Sequence, residues 1–295
     1  GQAGIATDEQ AEGWRAVADR VHEEGGTLFM QIMHGGRTSH PDLIDGANPE
    51  APSAFDWGGT VRGFAGKMDA PVPRELKKEE LPRIVEEFRQ GARRAIDAGV
   101  DGVEIHGANG YLLHEFMAPS ANKREDEFGG SPENRWRLPE MVIRAVVEEI
   151  GADRVGVRFS PAHNVQGVIE DDQEDMLATY GGLLDALAPL NLAYVSLLHG
   201  EPDSELIATL AQKARANGVT KVLMNDGFPT ITSKEDAQRE IELDYVDAAV
   251  VGRQLIANPD LVRRWREGLE LNEPDQDTFY LGGERGYIDY EYAAD

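Results

Sequence analysis

Short apolar runs alternate with longer amphipathic stretches along the chain, which is the pattern of parallel strands joined by helices. Because each run is apolar at consecutive positions, we expect strands whose two faces are both buried. The runs predict six strands, at Thr27–Ile32, Asp101–His106, Val155–Phe159, Leu192–Leu197, Lys221–Met224 and Val246–Val251. The amphipathic stretches predict seven helices, at Asp8–Glu24, Glu79–Ala98, Pro132–Ile150, Gln173–Leu187, Asp203–Asn217, Ser233–Ile241 and Pro259–Glu267.

A repeating β/α chain can close into an eight-stranded barrel or stay open as a doubly wound sheet. The open sheet usually carries a G-x-G-x-x-G turn after its first strand, and the sequence has no such turn. The pattern therefore favours an α/β fold of the TIM (β/α)8 barrel class, formed by one domain over residues 1–295. Six strands are too few to close that barrel. The long connection from His34 to Arg74 predicts a lid or a binding loop.

The composition limits the class of function. Asp and Glu number 54 against 29 Lys and Arg, and the resulting net charge of -25 repels nucleic acid and anionic lipid. The sequence shows no membrane-spanning run and no signal-peptide pattern, so we expect a cytoplasmic enzyme that binds neither nucleic acid nor membrane. The acidity fits either adaptation to high salt or an ordinary acidic protein. The absence of Cys excludes disulfides, iron-sulfur clusters and a cysteine nucleophile.

Polar side chains follow the predicted strand Asp101–His106, at the end where barrel enzymes place their active sites. His106 and Asn109 can both donate to one oxygen, and the phenol of Tyr111 can give up a proton. Two neutral donors and a proton source suit a developing enolate. The alternative is that His106 and Asn109 only cap the following helix while Tyr111 fills a gap in the core.

Arg158 lies in an otherwise apolar predicted strand, where an unpaired cation is costly. One explanation is a buried ion pair with a strand neighbour such as Glu104. The other is a permanent positive charge placed beside an electron-accepting ring that becomes anionic on reduction.

Gly227, Gly252 and Arg253 follow the last two predicted strands. Bare backbone N–H groups and a guanidinium at this place form the usual phosphate site of a barrel. Each glycine could instead be a simple turn residue.

Seven segments resemble, in order and spacing, the flavoproteins of the Old Yellow Enzyme family. They are GIATDEQ from Gly4, MQIMHGGR from Met30, DGVEIHGANGYLLHEF from Asp101, NKREDEFGGSPENRWR from Asn122, VGVRFSP from Val155, VGRQLIANPDLVRR from Val251 and TFYLGGERGYIDY from Thr278. The resemblance implies an FMN-binding TIM barrel that is reduced by NAD(P)H and then reduces an activated alkene, an enone or a nitroalkene, with ping-pong kinetics.

The resemblance also implies roles for individual residues. Gln31 and Arg158 would contact the pyrimidine edge of FMN, while Gly227, Gly252 and Arg253 would hold its phosphate. Phe279 and Tyr280 would lie near the flavin and the substrate entrance.

On the substrate side, the resemblance implies that His106 and Asn109 bind the carbonyl or nitro oxygen. Tyr111 would protonate the α-carbon. The pair of His and Asn is similar to one branch of the family, whereas the branch with two His at these positions also uses a cysteine, which this chain lacks.

Family members carry an N-terminal segment with a lid hairpin and the first two barrel strands, and this chain opens in the loop after the second of them. We therefore expect those two strands to lie outside this chain, in a missing part of the sequence, in a complementing N-terminal segment or in a homo-oligomer. A non-catalytic barrel remnant, or one subunit of a two-chain barrel, is the alternative. A barrel aldolase is disfavoured because no predicted strand ends in a Lys suited to a Schiff base.

Overall fold

The structure, a computed structural model, describes residues 3–227, 231–279 and 283–294. Within those ranges the chain forms ten strands, most of them short. They are β1 Phe29–Ile32, β2 Glu50–Ala51, β3 Thr60–Gly63, β4 Gly66–Asp69, β5 Arg74–Glu75, β6 Gly102–Gly107, β7 Val155–Phe159, β8 Tyr194–Leu198, β9 Lys221–Asn225 and β10 Ala248–Ala249.

Six of these strands form one sheet in the order β1-β6-β7-β8-β9-β10, and every neighbouring pair is parallel. These are the six strands that the apolar runs predict; β7 has the predicted bounds, and the ends of the other five differ from the prediction by one or two residues. Within this sheet, strands that follow one another along the chain are neighbours, and at least one helix lies between each pair, as in a β/α barrel.

The helices are α1 Asp8–Glu23, α2 Leu81–Asp97, α3 Leu112–Met117, α4 Pro132–Ile150, α5 Gln173–Met176, α6 Gly182–Leu187, α7 Glu205–Ala214, α8 Lys234–Ile241, α9 Arg253–Ala257 and α10 Leu261–Glu267. All seven predicted helices are confirmed. The stretch predicted as Gln173–Leu187 contains a π-helical segment, Leu177–Gly181, between α5 and α6. The short helices α3 and α9 were not predicted, because five or six residues show too little periodicity to distinguish a helix from a loop.

The two faces of the six-stranded sheet differ in chemistry. Side chains alternate along each strand, so Val103, Val157 and Val195 share one face and join a hydrophobic cluster with residues of α2 and α4. On the other face the register sets His106 beside Arg158, and Arg158 beside Ser196. The face that looks away from the helices is therefore the polar one.

The connection after β1 is more ordered than the sequence suggests. It contains an antiparallel hairpin of β3 and β4, and β2 pairs with β5. The hairpin turns at Phe64-Ala65, where Gly66 has a φ of 101° and the Phe64 side chain is 75% exposed. These four short strands give the connection regular structure, and its lid or binding role stays a prediction.

The start of this connection is locked to α3. Arg37 N–H donates to Glu115 Oε1 at 2.9 Å, and Leu112 N–H donates to the His34 carbonyl at 3.2 Å. Gly36 lies between these bonds with a φ of 60°. A Cβ there would overlap Glu115 Oε1 and lie 2.9 Å from Leu112 N, so only glycine allows the two segments to approach.

Glu115 is fully buried under this lock. Burial raises the pKa of the Glu115 carboxyl to about 8, although the nearby charge of Arg37 acts to lower it. Among the described residues Glu115 Oε2 has no hydrogen-bond partner. The Arg37 guanidinium lies over the rings of Phe55 and Trp57, at 5.4 and 5.3 Å from their centroids. Because its pKa is about 8, the Glu115 carboxyl is mostly protonated at pH 7 in the folded protein.

Gly36→Ala should destabilise the folded protein, because a Cβ at this position overlaps Glu115. The left-handed φ alone should cost about 1–2 kcal/mol of unfolding free energy, and the overlap with Glu115 roughly 1–3 kcal/mol more. Gly46→Ala is the matched control, since Gly46 has a φ of 80° with nothing within 4 Å of a Cβ. Chemical denaturation should show the larger loss for Gly36→Ala, and equal losses would contradict the lock.

A second prediction concerns the pH dependence of stability. The pKa of Glu115 in the folded protein lies above the ordinary value of 4.5, so its contribution to stability is complete below pH 4.5 and is lost as the pH rises towards 8. In that window the unfolding free energy should fall by about 1.4 kcal/mol per pH unit from this group. Glu115→Gln should remove this slope. Denaturation curves from pH 5 to 9 test it, and parallel profiles for the two proteins would refute the assignment.

Candidate active site

Arg158 lies in the middle of the polar face, in β7. Its guanidinium Nη1 is 3.5 Å from Ser196 Oγ, a long hydrogen bond. Among the described residues no carboxylate lies within ion-pair distance of Arg158, so the alternative of a contact pair with Glu104 is wrong. Burial lowers the pKa of Arg158, while the more distant Glu104 and Tyr194 act to raise it. The cation is therefore held in place without a direct counter-ion.

Gln31 lies on the same face, one strand beyond β6. Its Nε2 donates to Glu104 Oε1 at 2.6 Å, and this bond orients the amide. Glu104 and Gln31 are register partners, and Glu104 precedes His106 by two residues on that face. One oxygen of the carboxylate nearest to Arg158 along the sheet thus accepts a hydrogen bond from Gln31.

His106 is 3% exposed and adjoins Arg158 across the β6–β7 pair. Burial lowers the pKa of the His106 imidazole to about 3, and the positive charge of Arg158 and the neighbouring His114 add to this. The ring is therefore neutral at physiological pH. Within the described part of the chain Nδ1 has no partner, and a buried polar atom of this kind is one that a ligand can satisfy.

Asn109 follows β6 in a tight turn. Its φ is 58° and that of Gly110 is 76°, so two successive residues are left-handed. Asn109 N–H donates to Ser160 Oγ at 2.8 Å, and Gln166 Nε2 donates to the Asn109 carbonyl at 2.7 Å. The Asn109 side-chain oxygen is buried and has no partner among the described residues. Asn is one of the few residues that adopt this conformation at low cost.

Tyr111 stands at the start of α3 and is partly exposed. Its ring lies 5.4 Å from that of His106, with 52° between the planes. The structure shows no side-chain cap at the start of this helix, so the capping alternative is wrong. Since Tyr111 reaches the surface, it does not fill a gap in the core either. The strand end and its turn thus bring His106, Asn109 and Tyr111 together.

The predicted phosphate residues follow the neighbouring strands β9 and β10. Gly227 comes two residues after β9 with a φ of 99°, and Gly252 comes three residues after β10, directly before α9. A Cβ on Gly252 would meet nothing within 4 Å among the described residues, which leaves open space above the start of α9. Arg253 is the first residue of that helix. The positive φ of Gly227 also fits a simple turn, so its binding role stays a prediction.

The two aromatic residues near the end of the chain are less informative. Phe279 is 8% exposed, and its carbonyl accepts a hydrogen bond from Tyr287 Oη at 3.0 Å. That contact lies within the C-terminal segment. Tyr280 lies outside the described residues. The proximity of both to a flavin therefore stays a prediction.

Sequence reasoning missed the residues that hold the turn after β6. Ser160 could have been noticed, because it directly follows the strand that carries Arg158. Gln166 gives no such signal, since it belongs to an irregular loop and reaches Asn109 only in the folded chain. The described residues include no helix long and apolar enough to cross a bilayer, and no group of three His, Asp or Glu placed to hold a metal ion.

The sequence and the structure are similar to known flavin enzymes. The family model of the NADH:flavin oxidoreductase / NADH oxidase family matches residues 1–272. The probable flavin mononucleotide-dependent alkene reductase of Leishmania infantum is 40% identical, over 99% of this chain and 79% of its own length. The flavin oxidoreductase hxnT of Emericella nidulans is 38% identical, over 99% of this chain and 80% of its own.

Solved structures agree with this. Morphinone reductase in complex with tetrahydroNAD superposes with a TM-score of 0.88 at 38% identity, covering 99% of this chain and 80% of its own. The Old Yellow Enzyme homologue from Zymomonas mobilis gives a TM-score of 0.88 at 34% identity, covering 98% and 80%. The parallel sheet is thus the sheet of a flavin-binding TIM barrel, and the chain belongs to the NADH:flavin oxidoreductase family of Old Yellow Enzyme.

Proposed function

We propose that the protein is an FMN-dependent reductase of carbon–carbon double bonds conjugated to a carbonyl or nitro group, with NAD(P)H as the electron donor. The observation that carries this proposal is the partly buried Arg158 cation, which no carboxylate contacts among the described residues, beside a neutral His106 whose buried Nδ1 has no partner there. The solved relative with bound tetrahydroNAD supports a nicotinamide as the reductant. One site would serve both substrates in turn, so ping-pong kinetics are expected.

The polar face fits FMN. Arg158 and Gln31 would contact the pyrimidine edge of the ring, where a fixed positive charge favours added electron density. Gly227, Gly252 and Arg253 would hold the phosphate in the open space before α9. When bound, FMN supplies the hydride-transfer chemistry that no side chain of the protein can provide.

His106 and Asn109 would bind the substrate oxygen. As the double bond is reduced, negative charge builds on that oxygen, and two fixed donors stabilise it without having to reorganise. The low pKa of His106 keeps the imidazole uncharged, so it acts as a neutral donor beside the permanent charge of Arg158. The bonds of the Asn109 backbone to Ser160 and Gln166 hold the amide in place before the substrate arrives.

Tyr111 would supply the proton that completes the reduction. The phenol lies beside His106 and reaches the surface, so it can take up a new proton from water after each turnover. Its hydroxyl would deliver the proton to the α-carbon while His106 and Asn109 hold the oxygen. Phe279 and Tyr280 would line the entrance to this space.

The assignment of Tyr111 predicts different effects on the two half-reactions. Tyr111→Phe should slow the oxidation of the bound flavin by an enone by about 100-fold or more, since general acids contribute this much. Flavin reduction by NAD(P)H should change little, because it needs no proton from Tyr111. Stopped-flow absorbance near the flavin band measures both rates.

Tyr245→Phe is the matched control. Tyr245 Oη donates to the Pro202 carbonyl at 3.0 Å, in a region that carries none of the proposed site residues. This variant should leave both half-reactions unchanged. Equal slowing of the two half-reactions in Tyr111→Phe would count against the proton-donor role.

A further inference from the structure

A fully buried histidine lies directly under the turn that carries Asn109 and Tyr111. His114 belongs to α3, and its Nδ1 accepts a hydrogen bond from Gly110 N–H at 3.0 Å. Gly110 stands between the two proposed site residues. The imidazole of His114 does not itself belong to the polar face of the sheet, so any effect on chemistry would act through this backbone bond.

The other side of the His114 ring meets a buried carboxylate. Nε2 lies 3.2 Å from Glu170 Oε2, a close electrostatic contact whose geometry does not make a hydrogen bond, and Glu170 is 6% exposed. Tyr180 Oη donates to both Glu170 oxygens at 3.0 Å, and Ala162 N–H donates to Oε2 at 3.2 Å. Burial, with the negative charge of Glu170, raises the pKa of Tyr180 well above its usual value, so the phenol keeps the proton that it donates.

These contacts fix the tautomer of the ring. A nitrogen that accepts from Gly110 N–H cannot carry a proton, so the proton of the neutral His114 lies on Nε2, towards Glu170. A proton on Nδ1 would instead face the N–H of Gly110. The nearby carboxylate of Glu170 favours this form electrostatically, because it attracts the proton on Nε2.

The held segment is one that needs support. Asn109 and Gly110 are both left-handed, and Gly110 is the single residue that links Asn109 to Tyr111. The bond to His114 satisfies a buried N–H that would otherwise lose its hydrogen bond to water without compensation. A leucine would fill the same space without three buried polar groups, whose desolvation is costly. What the three polar groups achieve together is to fix the backbone amide of Gly110, which lies between Asn109 and Tyr111.

We propose that His114, in the tautomer set by Glu170 and Tyr180, is a positioning residue that holds Asn109 and Tyr111 in their productive arrangement. The inference rests on the proposed function, since it concerns the same reaction. It assigns to α3 and to the loop around Glu170 a part in catalysis, although neither touches the substrate.

The test compares two substitutions of His114. His114→Leu removes the acceptor, whereas His114→Asn keeps an oxygen near the place of Nδ1 and serves as the conservative control. Hydrogen exchange, read by mass spectrometry on peptides that include Gly110, reports the bond without any turnover. Stopped-flow absorbance of the holoenzyme with NADPH and 2-cyclohexenone gives the two half-reactions separately.

We expect faster exchange at Gly110 and alkene reduction slower by about 100-fold in His114→Leu, which is the effect of a misplacement of about 1 Å. Flavin reduction should change far less, and His114→Asn should recover most of the protection and the rate. Glu170→Gln gives a second reading if His114→Leu does not fold, because the amide keeps the shape but removes the charge that orients the ring. Glu170→Gln should also slow alkene reduction more than flavin reduction, but by less than His114→Leu does.

Unchanged exchange and unchanged alkene reduction in folded His114→Leu would overturn the proposal. A His114→Asn protein as impaired as His114→Leu would overturn it too, since that result points to packing rather than to an acceptor. Failure of the unmodified holoenzyme to reduce 2-cyclohexenone or a nitroalkene would speak against the proposed function. The two failures can be told apart, because hydrogen exchange at Gly110 is measured without any turnover and does not depend on the substrate.

Discussion

A partly buried positive charge, which no carboxylate contacts among the described residues, constrains the rest of the site. Arg158 lies in the middle of a parallel sheet, where removing a cation from water costs several kcal/mol. Glu104, the acid that could have neutralised Arg158 at short range, accepts a hydrogen bond from the side-chain amide of Gln31. The charge also forbids a second cation beside it, which is part of the reason that His106 is neutral. A ring that gains electron density would complete this arrangement.

Buried polar contacts outside the sheet hold the segment that carries Asn109 and Tyr111. Gly36 allows the segment after β1 to reach Glu115, and His114 holds the amide of Gly110 from below. Both contacts end on α3, the short helix that follows Tyr111. The strand fixes His106, while the position of Asn109 and Tyr111 depends on these neighbours. Rigid support of this kind lets fixed donors act on a developing charge.

The sequence predicted the sheet because each strand is a short run rich in apolar residues, and such a run can be recognised without knowledge of distant partners. The expectation that both faces of the strands are buried is wrong, because on the polar face Gln31 is exposed and Glu104 and Arg158 are only partly buried. It also predicted His106 and Arg158 as neighbours of the same site, since both stand near strand ends. It did not predict α3, whose six residues carry too little periodicity. Nor did it predict the contact of His114 with Glu170, because the two residues lie 56 positions apart and meet only after folding.

The most direct test of this account is the affinity of the protein for oxidised and for reduced FMN, with and without the charge of Arg158. Anaerobic titration of the apoprotein gives both dissociation constants, and Arg154→Gln, at an exposed arginine just before β7, is the control. We expect Arg158→Gln to weaken the binding of reduced FMN more than that of oxidised FMN, while Arg154→Gln changes neither. Equal weakening of both forms, or no binding of FMN by the unmodified protein, would contradict the account.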